Sequence, residues 1–127
     1  MPSKRALTAA LCTGCIVAPL LAHADVVEIA WGAKRRFEHQ TMLGAGTSLE
    51  LCSPLAAQQK VAWSFTSQQP LNFNIHYHAG EQVVTPARST GVRKARGVLA
   101  PKLPQDYCWM WTNPSAVASP MSVSLQR

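Results

Sequence analysis

Two histidines and a methionine are the side chains of this sequence whose types and spacing could bind a metal ion. His76 and His78 stand two residues apart in LNFNIHYH (71–78), and Met110 lies in DYCWMWT (106–112). Imidazole nitrogens bind copper in either oxidation state, and a thioether favours Cu(I). The set therefore predicts a copper site if the two segments are neighbours. The alternative is a solvated histidine pair, with Met110 taking no part.

The four cysteines divide into two pairs. Cys12 and Cys15 lie in the first 24 residues, whereas Cys52 and Cys108 lie in TSLELC and DYCWMWT, each out of phase with the apolar residues of its segment. In an exported domain, two remaining cysteines most simply form one disulfide. We therefore expect a cross-strand disulfide between Cys52 and Cys108.

Positive charge concentrates in a stretch around Gly91 and Gly97, which we interpret as a loop. Such a loop could attract phosphates, acidic polysaccharide or anionic lipid headgroups. The alternative is solvated charge that favours solubility. Nucleic acid is not expected as a partner, because no recognition motif accompanies the charge. The residues assigned to anionic-surface binding are Arg88, Arg93, Lys94 and Arg96.

Catalytic patterns are not found in the sequence. Its six acidic residues are scattered, and no G-x-S-x-G elbow or glycine-rich phosphate loop occurs. The sequence therefore predicts a protein that is not an enzyme, with no cofactor other than the copper considered above.

The elements that must position these residues are strands. With 47% hydrophobic and 14% charged residues, the chain can build a core, which excludes a disordered tail. Apolar residues alternate with polar ones in segment after segment, and turn residues separate the segments. This pattern predicts an all-β fold, an antiparallel β-sandwich of about seven to eight short strands. The clearest strands are predicted at 60–66, 71–78, 106–112 and 121–125, and weaker ones at 26–31, 47–52, 81–85 and 97–100.

The first 24 residues have the pattern of a secretory signal peptide. Lys4 and Arg5 precede a moderately apolar stretch, and Ala22-His23-Ala24 supplies small residues before a cut ahead of Asp25. The stretch is too short and too interrupted for a membrane-spanning helix; lipidation of Cys15 stays open as an alternative. We predict a signal peptide at 1–24 and a single domain at 25–127, periplasmic or secreted, with a net charge of +4 and no transmembrane helix.

The order of VAWSFTSQQPLNFNI, a glycine-containing basic region and DYCWMWTNPS resembles a GOLD domain of the emp24/p24 type. The matching positions are aromatic, apolar or amide residues: Trp63, Phe65, Phe73, Ile75, Tyr107 and Asn113. The chain also resembles small exported bacterial proteins of unassigned function that share FNIHYH and YCWMW. The GOLD resemblance implies a β-sandwich that binds without turnover. We therefore expect an exported, non-catalytic interaction module with an unknown protein or envelope component as its partner, or alternatively a small copper-binding protein.

Overall fold

The chain folds into strands joined by turns. The computed structural model describes residues 14–16 and 24–127, so the predicted signal peptide lies almost wholly outside the described residues. No helix of the described part has the length and apolar character to cross a bilayer. The seven strands are β1 (Ala24–Glu28), β2 (Arg36–Leu43), β3 (Ser48–Leu55), β4 (Val61–Ala79), β5 (Gln82–Leu99), β6 (Gln105–Thr112) and β7 (Ser119–Gln126).

The strands form one curled, mostly antiparallel sheet. Its order is β1-β3-β6-β4-β7-β2, β5 pairs with β4, and only the β1–β3 pair is parallel. One half of β4 pairs with β6 over 72–76, and the other half pairs with β7 over 62–67. The β4–β5 hairpin therefore belongs to both halves of the sheet, and the two halves curl around one core. This confirms the predicted all-β, mostly antiparallel fold, in which the two halves of one curled sheet face each other where we expected two separate sheets.

Two strands are much longer than the sequence predicts. β4 has 19 residues and continues through Gln69-Pro70, which we expected to be a break. β5 has 18 residues and contains the whole basic region, so our interpretation of that region as a loop is wrong. Register shifts along the hairpin absorb the irregular residues. The two-residue turn opens on Gly80 at φ 62°, a position that glycine occupies without a Cβ clash.

The core is aromatic and lies between the two halves of the sheet. Trp109 and Trp111 are 0% and 1% exposed. Phe65, from one half of the sheet, meets the Trp111 ring edge-on at a centroid distance of 5.6 Å and lies 5.1 Å from Phe73. Such ring pairs stabilise beyond the burial of their area. The alternation in 71–77 and 107–111 predicts that the odd-numbered residues point inward. This is confirmed, with Tyr77 only partly buried against the core, and β3, β6 and β4 have their alternate residues free for an outer face.

Candidate functional site

The pairing of β3, β6 and β4 brings the predicted site residues onto one outer surface. Across the three strands, Cys52 pairs with Cys108 and Cys108 with His76. In the next row on the same face, Met110 lies between Glu50 of β3 and Asn74 of β4. Successive side chains alternate between the faces of a strand, so these six side chains lie opposite the aromatic core. We call this surface the histidine face: Glu50, Cys52, Asn74, His76, Cys108 and Met110.

A disulfide closes the centre of the histidine face. Cys52 and Cys108 are bonded, with their Cα atoms 4.1 Å apart and a sequence separation of 56. They are directly opposed on adjacent antiparallel strands, which confirms the expected cross-strand disulfide. Both are buried, at 6% and 8% exposure. The bond therefore holds the middle of the sheet from its outer side.

The His76 ring is fixed by its neighbour on the same strand face. Nδ1 lies 2.7 Å from Oδ1 of Asn74, and because a carbonyl oxygen only accepts, Nδ1 donates. In the neutral ring this leaves the lone pair of Nε2 available to a ligand. Burial lowers the pKa of His76. The Glu50 carboxylate raises this pKa by less, and the neighbouring His78 lowers it further. Burial therefore favours the neutral ring, which is the form that metals bind.

Three potential ligand atoms lie close together on the histidine face, and one of them is a nitrogen of this ring. A carboxylate oxygen of Glu50, a ring nitrogen of His76 and Sγ of Cys108 all lie within 4.8 Å of one another. While Cys108 is in the disulfide, its sulfur is not a thiolate, and the thiolate is the form that binds metal. The oxidised face therefore offers only two strong ligands, a carboxylate and an imidazole.

The predicted copper ligands are only partly together. β4 and β6 are neighbours, as that prediction required. His76 pairs with Cys108, however, and Met110 lies in the next row of the same face. His76 is 6% exposed, so the alternative of a solvated histidine pair does not hold for this member of the pair. His78 is exposed near the end of β4, with its ring 5.4 Å from that of His76. Sequence reasoning missed Glu50 as a candidate ligand because a lone acid in a strand carries no signal. Copper binding stays a prediction.

The cations assigned to anionic binding lie along β5. Arg88, Arg93, Lys94 and Arg96 are all exposed, and no acidic residue occurs between Gln82 and Leu99. Among the described strands, β5 pairs only with β4, so its other edge has unpaired backbone groups. We call the unpaired edge of β5, together with its four exposed cations, the β5 edge: Arg88, Arg93, Lys94 and Arg96. Unpaired edges of this kind can add a strand from another chain, and lysines often protect them.

The cations of the β5 edge differ in their freedom. Arg93 Nε donates to the carbonyl oxygen of Gln68 at 3.0 Å, which ties this side chain to β4. Arg96 of β5 and Arg36 of β2 both line a shallow groove of about 520 Å³, and Ser124 of β7 lines it between them. Arg36 in turn pairs with Glu38 at 2.8 Å. Among the described residues, Arg88, Lys94 and Arg96 are therefore the cations of β5 whose side chains have no hydrogen-bond or ion-pair partner.

Comparison with solved structures shows which known folds the chain is similar to. PliG of Aeromonas hydrophila, a periplasmic lysozyme inhibitor of g-type lysozyme, superposes with a TM-score of 0.62 at 13% identity, over 84% of this chain and 98% of that one. The pre-peptidase C-terminal domain of a collagenase from Bacillus anthracis also has a TM-score of 0.62, at 11% identity, over 86% of this chain and 100% of that one. At these identities the likeness is one of fold.

No family model and no curated protein matches the sequence. The resemblance to GOLD domains therefore stays a prediction.

Proposed function

We propose that the protein is an exported binding module that acts without catalytic turnover, by docking the β5 edge against an acidic surface of a partner protein. The observation that carries the proposal is the β5 edge itself: a strand of 18 residues that, within residues 24–127, is paired on one side only and whose four ionisable side chains are all basic. Backbone groups of a free edge supply affinity to an extended partner, and charge of one sign selects its complement.

The fold likeness supports a protein as the partner. One structural neighbour is a periplasmic inhibitor, which acts by binding another protein rather than by turnover. The large aromatic residues of this chain do not form a surface on which a sugar stacks but pack in the core, where Phe73, Trp109 and Trp111 are at most 2% exposed. The partner of this chain is proposed to be acidic where it docks, because a basic surface would be repelled.

Export is supported by three independent features. Residues 1–24 have the composition of a signal peptide, the Cys52–Cys108 disulfide suits an oxidising compartment, and the inhibitor with the similar fold is periplasmic. A binding module in that compartment meets envelope proteins, secreted proteins and proteins arriving from outside.

Site-specific photocrosslinking in the exporting cell tests this proposal. A benzophenone amino acid replaces Thr90, an exposed residue of β5 that leaves every cation in place, and in a matched control it replaces Gln40, an exposed residue of β2. We expect a discrete, protease-sensitive adduct from position 90 whose yield falls as salt is raised, because exposed charges are screened. No adduct at position 90, equal adducts at both positions, or an adduct that resists protease would contradict the proposal.

A further inference from the structure

We propose that reduction of the Cys52–Cys108 disulfide turns the histidine face into a binding site for a thiophilic d¹⁰ cation, Zn²⁺ or Cu(I). The two thiolates and His76 hold either cation, and Glu50 completes the site for Zn²⁺. This site is on the β1-β3-β6-β4 half of the sheet, so the metal-site proposal can be tested independently of the partner proposed for the β5 edge.

The distances already approach those of a tetrahedral site. The Glu50 oxygen, the His76 nitrogen and Cys108 Sγ lie within 4.8 Å of one another, and Cys52 Sγ is bonded to Cys108 Sγ. With metal–sulfur bonds of about 2.3 Å and metal–nitrogen bonds of about 2.0 Å, tetrahedral ligand atoms stand roughly 3.3–3.8 Å apart. Closing the difference of about 1 Å takes side-chain rotation, and the two sulfurs separate once their bond is broken.

The backbone that carries the ligands is held independently of the disulfide. Eight consecutive residue pairs join β3 to β6, and five join β4 to β6. On the opposite face the same strands bury Leu51, Ile75 and Trp109 without exposure. Reduction therefore changes the outer face while the core packing stays. The hydrogen bond from His76 to Asn74 orients the ring in advance, as outer-shell partners do for metal-binding histidines.

The redox step is a thiol–disulfide exchange with a dithiol protein of the compartment. The thiolate of that protein attacks one sulfur, the Cys52–Cys108 bond breaks, and the dithiol protein leaves oxidised to its own disulfide. The chain gains two thiols, and the cation displaces their two protons as it binds. The set of two sulfurs, one nitrogen and one oxygen matches the ligands that Zn²⁺ takes, whereas Cu(I) is selected by the soft sulfurs.

Cobalt titration of the full chain tests this proposal, with Cys12→Ser and Cys15→Ser so that only the paired cysteines supply thiols. In the chain reduced without oxygen, we expect one equivalent of Co²⁺ to give a thiolate-to-metal charge-transfer band that Zn²⁺ abolishes. The oxidised chain gives no such band. We expect Asn74→Ala to weaken binding about 10- to 100-fold, as loss of an outer-shell partner does. The matched control His39→Ala, on β2 at the other end of the sheet order from β3, leaves binding unchanged.

Two further variants fix the ligand set and the cation. His76→Ala removes tight binding of both cations, and Glu50→Gln weakens Zn²⁺ while leaving Cu(I) unchanged, because Cu(I) does not need an oxygen ligand. Absence of the band in the reduced chain, or equal affinity in the oxidised chain, overturns the proposal. Unchanged affinity in His76→Ala does so as well. Circular dichroism follows the strands throughout, and a reduced chain that loses its strands and does not regain them with Zn²⁺ also overturns it.

Discussion

Gly97 is a position where the fold predicts that one methyl group destabilises the protein. It pairs with Trp63 across the β4–β5 hairpin, and a Cβ added there would stand 2.7 Å from Cζ2 and 3.0 Å from Cε2 of the indole. The indole packs against Phe73 at a centroid distance of 4.8 Å, so it cannot withdraw without disturbing the core. We therefore predict that Gly97→Ala forces Trp63 off its present position.

The magnitude follows from two opposing effects. Relieving the overlap costs about 1–3 kcal/mol, as overpacking usually does. Gly97 has no positive φ, so the alanine backbone is unstrained and the lower entropy of the unfolded chain returns about 0.5–1 kcal/mol. We expect a net loss of roughly 1–2 kcal/mol in the free energy of unfolding, which lowers the melting temperature by about 5–15 °C for a domain of this size.

Urea unfolding of four proteins tests this reasoning: the parent, Gly97→Ala, Trp63→Leu and the double variant. In the Trp63→Leu background the added methyl has room, so Gly97→Ala becomes neutral or stabilising, and the coupling between the sites is about 1–3 kcal/mol. Gly32→Ala is the matched control, because its Cβ would meet nothing closer than 3.4 Å. An additive cycle, or a stabilised Gly97→Ala single variant, would refute the close approach of the indole.

Three further predictions concern the disulfide, the buried histidine and the β6–β7 turn. Replacing Cys52 and Cys108 together by alanine should lower the unfolding free energy by about 4 kcal/mol in the chain-entropy model, measured by denaturant titration; an unchanged midpoint would contradict it. The pKa of folded His76 is lowered from 6.5, so the stability linked to its neutral form is complete above pH 6.5 and is lost as the pH falls through the folded pKa. His76→Gln removes this titration, so the variant should lose less melting temperature between pH 7 and 5 than the parent. Asn113 is fully buried, and its amide donates to the carbonyl oxygens of Leu43 and Val117. Asn113→Ala should therefore lower the unfolding free energy by about 2–3 kcal/mol. Ser115→Ala, a change at a less buried partner of Asn113, should lower the unfolding free energy by less in the same denaturant titration.

Strand identity could be predicted wherever one face of the strand is strongly apolar. In β6, Tyr107, Trp109 and Trp111 alternate with polar or sulfur-containing residues, and the same parity places Cys108 on the outer face. Period-two alternation fixes which face a side chain takes once one face is buried. The outward direction of the site residues follows from that one property, and the disulfide from the same parity together with the pairing of β3 with β6.

β2 was missed because its alternation carries little apolar contrast. Its inward side combines Phe37, His39 and Thr41, which are only half-buried, and strand prediction relies on the apolar contrast that they lack. Pairing with β7 over eight residues holds β2 in the sheet instead. That pairing is non-local, so no window of sequence around β2 records it.

The lengths of β4 and β5 were missed because local turn signals were given too much weight. Gln69-Pro70 and Gly91 are typical of turns, but here register shifts accommodate them inside continuous strands. Gly91, at φ 66°, donates its backbone N–H to Oδ1 of Asn72 at 3.1 Å, a contact that replaces a regular ladder bond. Tertiary pairing along both edges of β4 outweighs the local preference.

The composition of the histidine face could be predicted only in part. Parity placed His76 and Cys108 on outer faces, but not in the same row, because strand order and register are set by the whole sheet. Glu50 arrives from β3, 26 residues before His76, and nothing in its own segment marks it. Residues that meet across three strands carry no shared sequence signal.

The yield of the photocrosslinked adduct at Thr90, compared between two variants of equal net charge, tests the central claim most directly. One variant is Lys94→Gln with Arg96→Gln on the β5 edge; the other is Lys34→Gln with Lys60→Gln, two exposed lysines elsewhere. Two exposed charges at about 0.5 kcal/mol each predict roughly a fivefold fall in adduct for the first variant. The second variant should keep the parental yield. An equal fall in both variants, or no fall in either, would contradict docking on the β5 edge.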